Sequence, residues 1–146
     1  MKFVFLLIAT LAFGDKYDQF LGREPVREAI LLACAETGIP IHIAAGLQWS
    51  EWRPGEPEVG TSRGWWQLNT KFHAYYRDKY NFGREFDEYD PVASTFVALR
   101  YLADLYRARG VFWRALVDYK HGPNAKTAAP DGIMKLCKAI AEGRLE

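Results

Sequence analysis

The chain has 146 residues, of which 49% are apolar and 15% aromatic, and its 19 basic residues nearly balance its 18 acidic ones. This length fits one domain, and this composition provides enough apolar residues for a core and excludes an intrinsically disordered chain. Lysine and arginine are interleaved with acids rather than clustered on one face, which argues against nucleic acid as a partner.

The first 14 residues predict a secretory signal peptide. Lys2 precedes an apolar run at residues 3–13, and Ala12 and Gly14 are small residues of the kind that signal peptidase recognises. Eleven residues are too few to cross ~30 Å of hydrocarbon as a helix. We therefore predict a signal peptide at 1–14 and an exported domain at 15–146, periplasmic or extracellular, with no stable membrane insertion after cleavage. A buried first helix is the alternative.

Helical periodicity predicts two helices in the first third of the mature chain. Pro25 suits a first helical position, and the apolar spacing that follows continues until Gly38. Pro40 begins the second helix, and Glu51 lies in its last turn, before proline and glycine interrupt the pattern. The stretch at 54–64 predicts an exposed loop.

Four further helices are predicted downstream. Thr70 is placed to cap a helix that continues to Tyr80, and Asp90 with Pro91 begins the next. The helix that begins at Asp90-Pro91 carries the strongest apolar stripe, formed by Val92, Phe96, Leu99, Ala103 and Tyr106. The last two helices cover residues 112–119, closed by Gly122-Pro123, and 133–140. Since apolar and polar residues alternate nowhere convincingly, we expect a single all-α domain. We also expect the protein to be a monomer.

The cysteines and histidines give no sign of a metal site. Cys34 and Cys137 are the only cysteines; in an oxidising compartment they could form one disulfide, and two buried free thiols are the alternative. His42, His73 and His121 are scattered, without partners at ligand spacing. We expect no metal and no cofactor, with His42 and His73 as surface or hydrogen-bonded side chains.

Glu51 has the surroundings of a carboxylic acid that stays protonated. The carboxyl-terminal end of a helix carries partial negative charge, and Trp49 and Trp52 would exclude water; both effects favour the neutral form. A raised pKa suits a group that donates a proton near neutral pH and later takes one back.

Several segments together resemble a known family. Ser50-Glu51-Trp52 is followed by Gly64-Trp65-Trp66-Gln67-Leu68-Asn69, then by Asp90-Pro91 before the long helix, and by Tyr119-Lys120-His121-Gly122-Pro123. In order and spacing, they resemble the catalytic domain of soluble lytic transglycosylases, which belong to the lysozyme-like superfamily. The resemblance covers residues 39–123 and implies a lysozyme-like helical domain with a cleft.

The resemblance also implies roles for particular residues. Glu51 would be the catalytic acid and base, Gln67 and Trp66 would line the sugar cleft, and Tyr119 would support the carboxyl group of Glu51. We also predict that Trp52 and Lys120, which do not match the family pattern, contact the substrate, peptidoglycan glycan strands. Tryptophans around one carboxyl group offer flat apolar faces to sugar rings, although they also suit a core.

The sequence departs from the family pattern at four positions. Trp52 replaces the serine after the acid, Trp66 a methionine, Lys120 an asparagine and His121 an alanine. A cation at Lys120 beside Glu51 would lower its pKa, unless the side chain points to substrate or pairs with Asp118 or another carboxylate. His121 could line the cleft.

The family's reaction needs only one carboxylate. The C6 hydroxyl of muramic acid attacks the anomeric carbon, so that the product ends in a 1,6-anhydro sugar. Ordinary glycosidases need a second carboxylate, for which Glu56 and Glu58 are candidates, so a hydrolytic muramidase is one alternative. The other is a non-catalytic wall-binding module that keeps the cleft without turnover.

Overall fold

The computed structural model describes residues 26–122 and 131–142. The predicted signal peptide, Pro25 and Pro123 lie outside the described residues. Of these described residues, 67% are helical and few are in strands, which confirms the all-α class. In the described residues, no helix is both long and apolar enough to cross a membrane.

Six α-helices, one 3-10 helix and two short strands occur in the described residues. The helices are α1 (Val26–Thr37), α2 (Ile41–Ser50), α3 (His73–Tyr80), α4 (Pro91–Arg109), α5 (Phe112–His121) and α6 (Asp131–Ala141). Strands β1 (Ser62–Arg63) and β2 (Leu68–Asn69) pair antiparallel, with Ser62 opposite Asn69, and the 3-10 helix Thr70–Phe72 follows directly.

Helix α4 lies at the centre of the fold, because α1, α3 and α5 all pack against it. Asp90 caps it as predicted, accepting hydrogen bonds from the backbone N–H groups of Val92 and Ala93. The predicted stripe is only partly the buried face: Val92 is 51% exposed, whereas Leu99 and Ala103 are buried. A helix enclosed on several sides buries consecutive residues, as at 97–99, and a single stripe does not describe it.

Helix α2 is buried between α1 and α6. Its residues 43–48 are buried in succession, which no amphipathic surface helix would show. Gly46 permits the close approach of α6, since a Cβ atom there would lie 2.5 Å from the Cys137 sulfur. Cys137 and Cys34 are free buried thiols in the structure. Burial raises the pKa of Cys34 to about 12 and that of Cys137 to about 11.

The start of the third helical segment differs from the sequence prediction. Asn69, not Thr70, provides the cap, since its side-chain oxygen accepts the Lys71 N–H at 3.0 Å. The Thr70 hydroxyl instead donates to the Thr61 carbonyl at 2.9 Å, which ties the hairpin to the 3-10 helix. His73, at the start of α3, lies 2.5 Å from Glu88 and is a hydrogen-bonded histidine, as expected.

Candidate active site

A cavity of about 920 Å³ lies beside the end of α2. The hairpin, the 3-10 helix with α3, and the ends of α2 and α5 contribute its walls, and α4 adds one tyrosine. The described residues that line it are Glu51, Val59, Ser62, Gln67, Leu68, Asn69, Phe72, Tyr75, Tyr76, Tyr101, Tyr119, Lys120, His121 and Gly122. Among them, Glu51 is the only carboxylate.

Glu51 immediately follows α2 and closes it, with its backbone N–H donating to the Gln48 carbonyl at 3.1 Å. The buried run of α2 ends at Gln48, and the two residues after it, Trp49 and Ser50, are half-buried. The Glu51 side chain is only 10% exposed. The sequence prediction of a carboxyl group at the end of a buried helix is therefore confirmed to within one residue.

Lys120 is the cation nearest to Glu51 among the described contacts. Its Nζ lies 3.4 Å from Glu51 Oε1, while Asp118, the alternative partner, binds Arg109 at 2.6 Å. Burial raises the pKa of Glu51 above its usual value, and the charge and hydrogen bond of Lys120 lower it only in part. The net result is an acid that holds its proton to higher pH than an exposed glutamate.

The turn at residues 64–67 joins the two strands. Gly64 has φ +79°, and a Cβ atom there would overlap the Glu88 carbonyl, so only glycine fits. Gln67 also has positive φ, 49°, which is uncommon for a residue with a side chain. Side chains outside the turn hold it in place: Gln48 donates to the Trp65 carbonyl at 3.2 Å.

Gln67 lines the cavity as predicted from the resemblance, and its amide group is tightly held. Nε2 donates to Glu58 Oε2 and to the Gly64 carbonyl, both at 2.9 Å. Glu58 in turn accepts the Gly64 N–H at 2.8 Å and the Tyr89 hydroxyl at 2.5 Å. Partial burial raises the pKa of Glu58, but these hydrogen bonds together outweigh it, so that its pKa lies below the usual value.

Tyr119 lines the cavity, but its contact differs from the predicted one. Its hydroxyl donates to the Trp66 carbonyl at 2.7 Å and not to the carboxyl group of Glu51. Burial and the nearby charge of Glu51 both raise the pKa of Tyr119, so the phenol stays neutral. Tyr119 therefore supports the turn at residues 64–67 rather than the carboxyl group of Glu51.

Two predicted substrate contacts are not at the cavity wall. The Trp66 side chain is fully buried, and its indole N–H donates to the Thr95 hydroxyl of α4 at 2.8 Å. Trp66 anchors the turn in the core, so the expectation that it lines the cleft is wrong for its side chain. Trp52 packs edge-on against Trp65 and Tyr89, at 5.7 and 5.6 Å between ring centroids, and is not among the described lining residues.

A row of tyrosines along the cavity was not anticipated from the sequence. Tyr76 of α3, Tyr101 of α4 and Tyr119 of α5 follow one another at centroid distances of 5.3 and 5.6 Å. Phe72 and Tyr75 add exposed aromatic faces at the same cavity. The only sequence signal is an abundance of tyrosine, because three separate helices supply the row.

The remaining candidate site residues differ in whether they line the cavity. His121 and Lys120 line the cavity, whereas Glu56 and Glu58 do not. The Glu56 side chain is 45% exposed and pairs loosely with Arg53 at 3.9 Å. Neither candidate for a second carboxylate therefore belongs to the described cavity wall.

Comparisons with protein-family models, curated proteins and solved structures gave no match to this chain.

Proposed function

We propose that this chain is an exported lytic transglycosylase with a lysozyme-like fold. It would cleave the β-1,4 bond between N-acetylmuramic acid and N-acetylglucosamine in peptidoglycan, leaving a 1,6-anhydro end. The proposal is carried by the position of Glu51. Its carboxyl group is buried and has a raised pKa, and it is the only carboxyl side chain among the described cavity-lining residues. The motif resemblance around Glu51, Gln67 and Tyr119 supports the family.

In the first step, protonated Glu51 donates its proton to the glycosidic oxygen. The bond to the anomeric carbon breaks, the N-acetylglucosamine side leaves with a new hydroxyl group, and positive charge develops on the muramic acid ring. Burial favours the protonated starting form of Glu51. Lys120, 3.4 Å away, stabilises the carboxylate that results.

In the second step, the C6 hydroxyl of the same muramic acid attacks the anomeric carbon. The Glu51 carboxylate accepts the hydroxyl proton, which restores the acid for the next cycle and leaves a neutral anhydro ring. Neither step consumes a water molecule or uses a second carboxylate. This agrees with the positions of Glu56 and Glu58, which lie outside the described cavity wall.

The walls of the cavity suit a glycan. Tyrosine and phenylalanine rings present apolar faces to sugar rings, and polar groups between them, including Ser62, Gln67 and Asn69, suit hydroxyl and acetamido groups. The volume of about 920 Å³ exceeds that of a single sugar and fits a stretch of chain.

Product masses from purified sacculi test the proposal. Mature protein should release muropeptides that end in anhydro-muramic acid and are lighter by one water than hydrolysis products. Hydrated reducing ends would replace the proposed reaction with muramidase hydrolysis. A folded protein that binds sacculi but releases nothing would be a wall-binding module.

A further inference from the structure

We propose that Glu58 is a positioning residue, which fixes the Gln67 side-chain amide so that its oxygen is the acceptor offered to the ligand. The site would then select a ligand that donates an N–H or O–H group at this position. The identity of that ligand as an N-acetylated glycan rests on the proposed function; the orientation of the amide does not.

The orientation follows from the partners of Gln67. Nε2 lies 2.9 Å from Glu58 Oε2 and 2.9 Å from the Gly64 carbonyl oxygen. A carboxylate and a carbonyl only accept hydrogen bonds, so both must face the NH₂ group rather than the amide oxygen. Both hydrogens of that group are then used. Among the described contacts, the oxygen is the part of the amide that is left for a ligand.

Glu58 is itself held where this role requires it. Its two oxygens accept three hydrogen bonds, from the Gly64 N–H, the Gln67 amide and the Tyr89 hydroxyl. These donors favour the ionised carboxylate, which is the form that accepts and does not donate. The same bonds help to hold Gln67 at its positive φ of 49°.

The fixed oxygen defines the chemistry of the ligand group. An amide oxygen binds a hydroxyl or an acetamido N–H, and it disfavours a ligand carbonyl or carboxylate at the same place. N-acetylated sugars carry both kinds of donor. Glu58 thus acts through Gln67 and has no part in proton transfer, although its position in the loop after Glu51 suggests a second catalytic carboxylate.

Solution NMR of the unliganded protein tests the orientation directly. The two side-chain amide hydrogens of Gln67 should exchange slowly, and Glu58→Ala should accelerate their exchange by about tenfold or more. Glu58→Gln keeps one acceptor oxygen and should preserve most of the protection. Exchange as fast as that of an exposed glutamine in the unsubstituted protein would overturn the proposal.

Ligand binding supplies the second measurement, made in the Glu51→Gln background so that the probe is not consumed. Glu58→Ala and Gln67→Leu should each weaken binding of an N-acetylglucosamine hexamer, by roughly tenfold for a lost hydrogen bond. The double variant should be no weaker than the weaker single variant, because both remove the same contact. Glu56→Ala, a change in the same loop, should leave binding unaltered.

The two measurements separate the possible outcomes. Additive losses in the double variant would show that Glu58 and Gln67 act independently and would overturn the positioning role. Glu58→Gln with normal folding but abolished turnover would assign proton chemistry to Glu58 instead. If wild-type protein releases no muropeptide and binds no hexamer, the proposed function fails, while amide exchange still decides the orientation of Gln67.

Discussion

Glu51 and Glu58 are seven residues apart in the chain, and burial favours the protonated form of both, yet their pKa values shift in opposite directions. Glu51 closes a buried helix and has one described partner, an ammonium group 3.4 Å away. Glu58 lies in a loop and accepts three hydrogen bonds of 2.5–2.9 Å. The pKa of Glu51 is raised, and that of Glu58 is lowered.

The number and geometry of hydrogen-bond donors decide whether the pKa of a wholly or partly buried carboxyl group lies above or below its usual value. A single, longer contact only partly offsets the loss of hydration at Glu51, whereas several short ones exceed it at Glu58. A carboxyl group with few donors keeps the capacity to exchange a proton with a ligand. One whose oxygens are already occupied serves as an anchor instead.

Glu51→Gln should have the largest effect. The amide keeps the shape of the acid but neither donates nor recovers the proton, so turnover on sacculi should fall by ~10²–10⁴. Far-UV circular dichroism should be unchanged. Glu58→Gln, the matched control, should retain most activity; the opposite ranking of the two variants would reverse the roles assigned here.

Gly64→Ala tests the hydrogen bonds that hold Glu58. It adds a side chain where φ is +79° and where the Glu88 carbonyl leaves no room, and so displaces one donor of Glu58. We expect the free energy of unfolding to fall by ~2–4 kcal/mol in urea titrations. Gly60→Ala, at φ +71° with nothing within 4 Å, should cost only the backbone strain of ~1 kcal/mol. Equal losses at both positions would argue against close packing around Gly64.

Lys120→Met tests the pairing of Lys120 with Glu51. Removing the cation takes away what lowers the pKa of Glu51 and leaves burial unopposed, so that the pKa rises further. Since the acid must be protonated to react, the basic limb of the kcat/KM profile should move to higher pH. Relative to wild type, activity at pH values above that limb should increase. Lys120→Arg should hold the limb near its wild-type position, and Lys135→Met on α6 should not move it; a limb that stays in place in Lys120→Met would contradict the pairing.

The smallest expected effect is on stability. A carboxyl group with a raised folded-state pKa binds its proton more tightly in the folded than in the unfolded state. The ionisation of Glu51 therefore lowers the free energy of unfolding once pH exceeds the pKa of the unfolded state. This loss reaches its full size above the pKa of the folded state. Glu51→Gln lacks this penalty, so its advantage in unfolding free energy over wild type should grow as pH rises through that window. A constant difference across pH would show that Glu51 titrates normally.

The sequence was sufficient for the helices and for the position of Glu51. Proline, glycine and aspartate mark helix ends through local backbone chemistry, which is why Asp90 and Gly38 were placed correctly. The position of Glu51 follows from the pattern of α2, because a helix without a polar face must be mostly buried. Local rules failed where two neighbouring residues compete, as when Asn69 rather than Thr70 provides the cap.

The rest depends on contacts between distant segments. A tryptophan in a turn suits a sugar cleft or a core equally well, and only the approach of Thr95 on α4 decides for the core at Trp66. The tyrosine row is assembled from three helices, so its members share no spacing in the sequence. Likewise, Lys120 pairs with Glu51 while Arg109 of α4 pairs with Asp118 of α5. This division of partners depends on how α4 packs against α5, which the sequence does not show.

The attachment of Trp66 has a consequence for how a ligand enters. Its indole is fixed to α4 and its carbonyl to Tyr119 of α5, at 2.8 and 2.7 Å, so the turn beside the cavity cannot open without disturbing the central helix. A motion that disturbs a central core helix costs nearly the free energy of global unfolding, so it is far rarer than the fluctuation of a loop. We therefore expect this wall of the cavity to keep its shape before a ligand arrives, so that little conformational entropy is lost on this side when one binds.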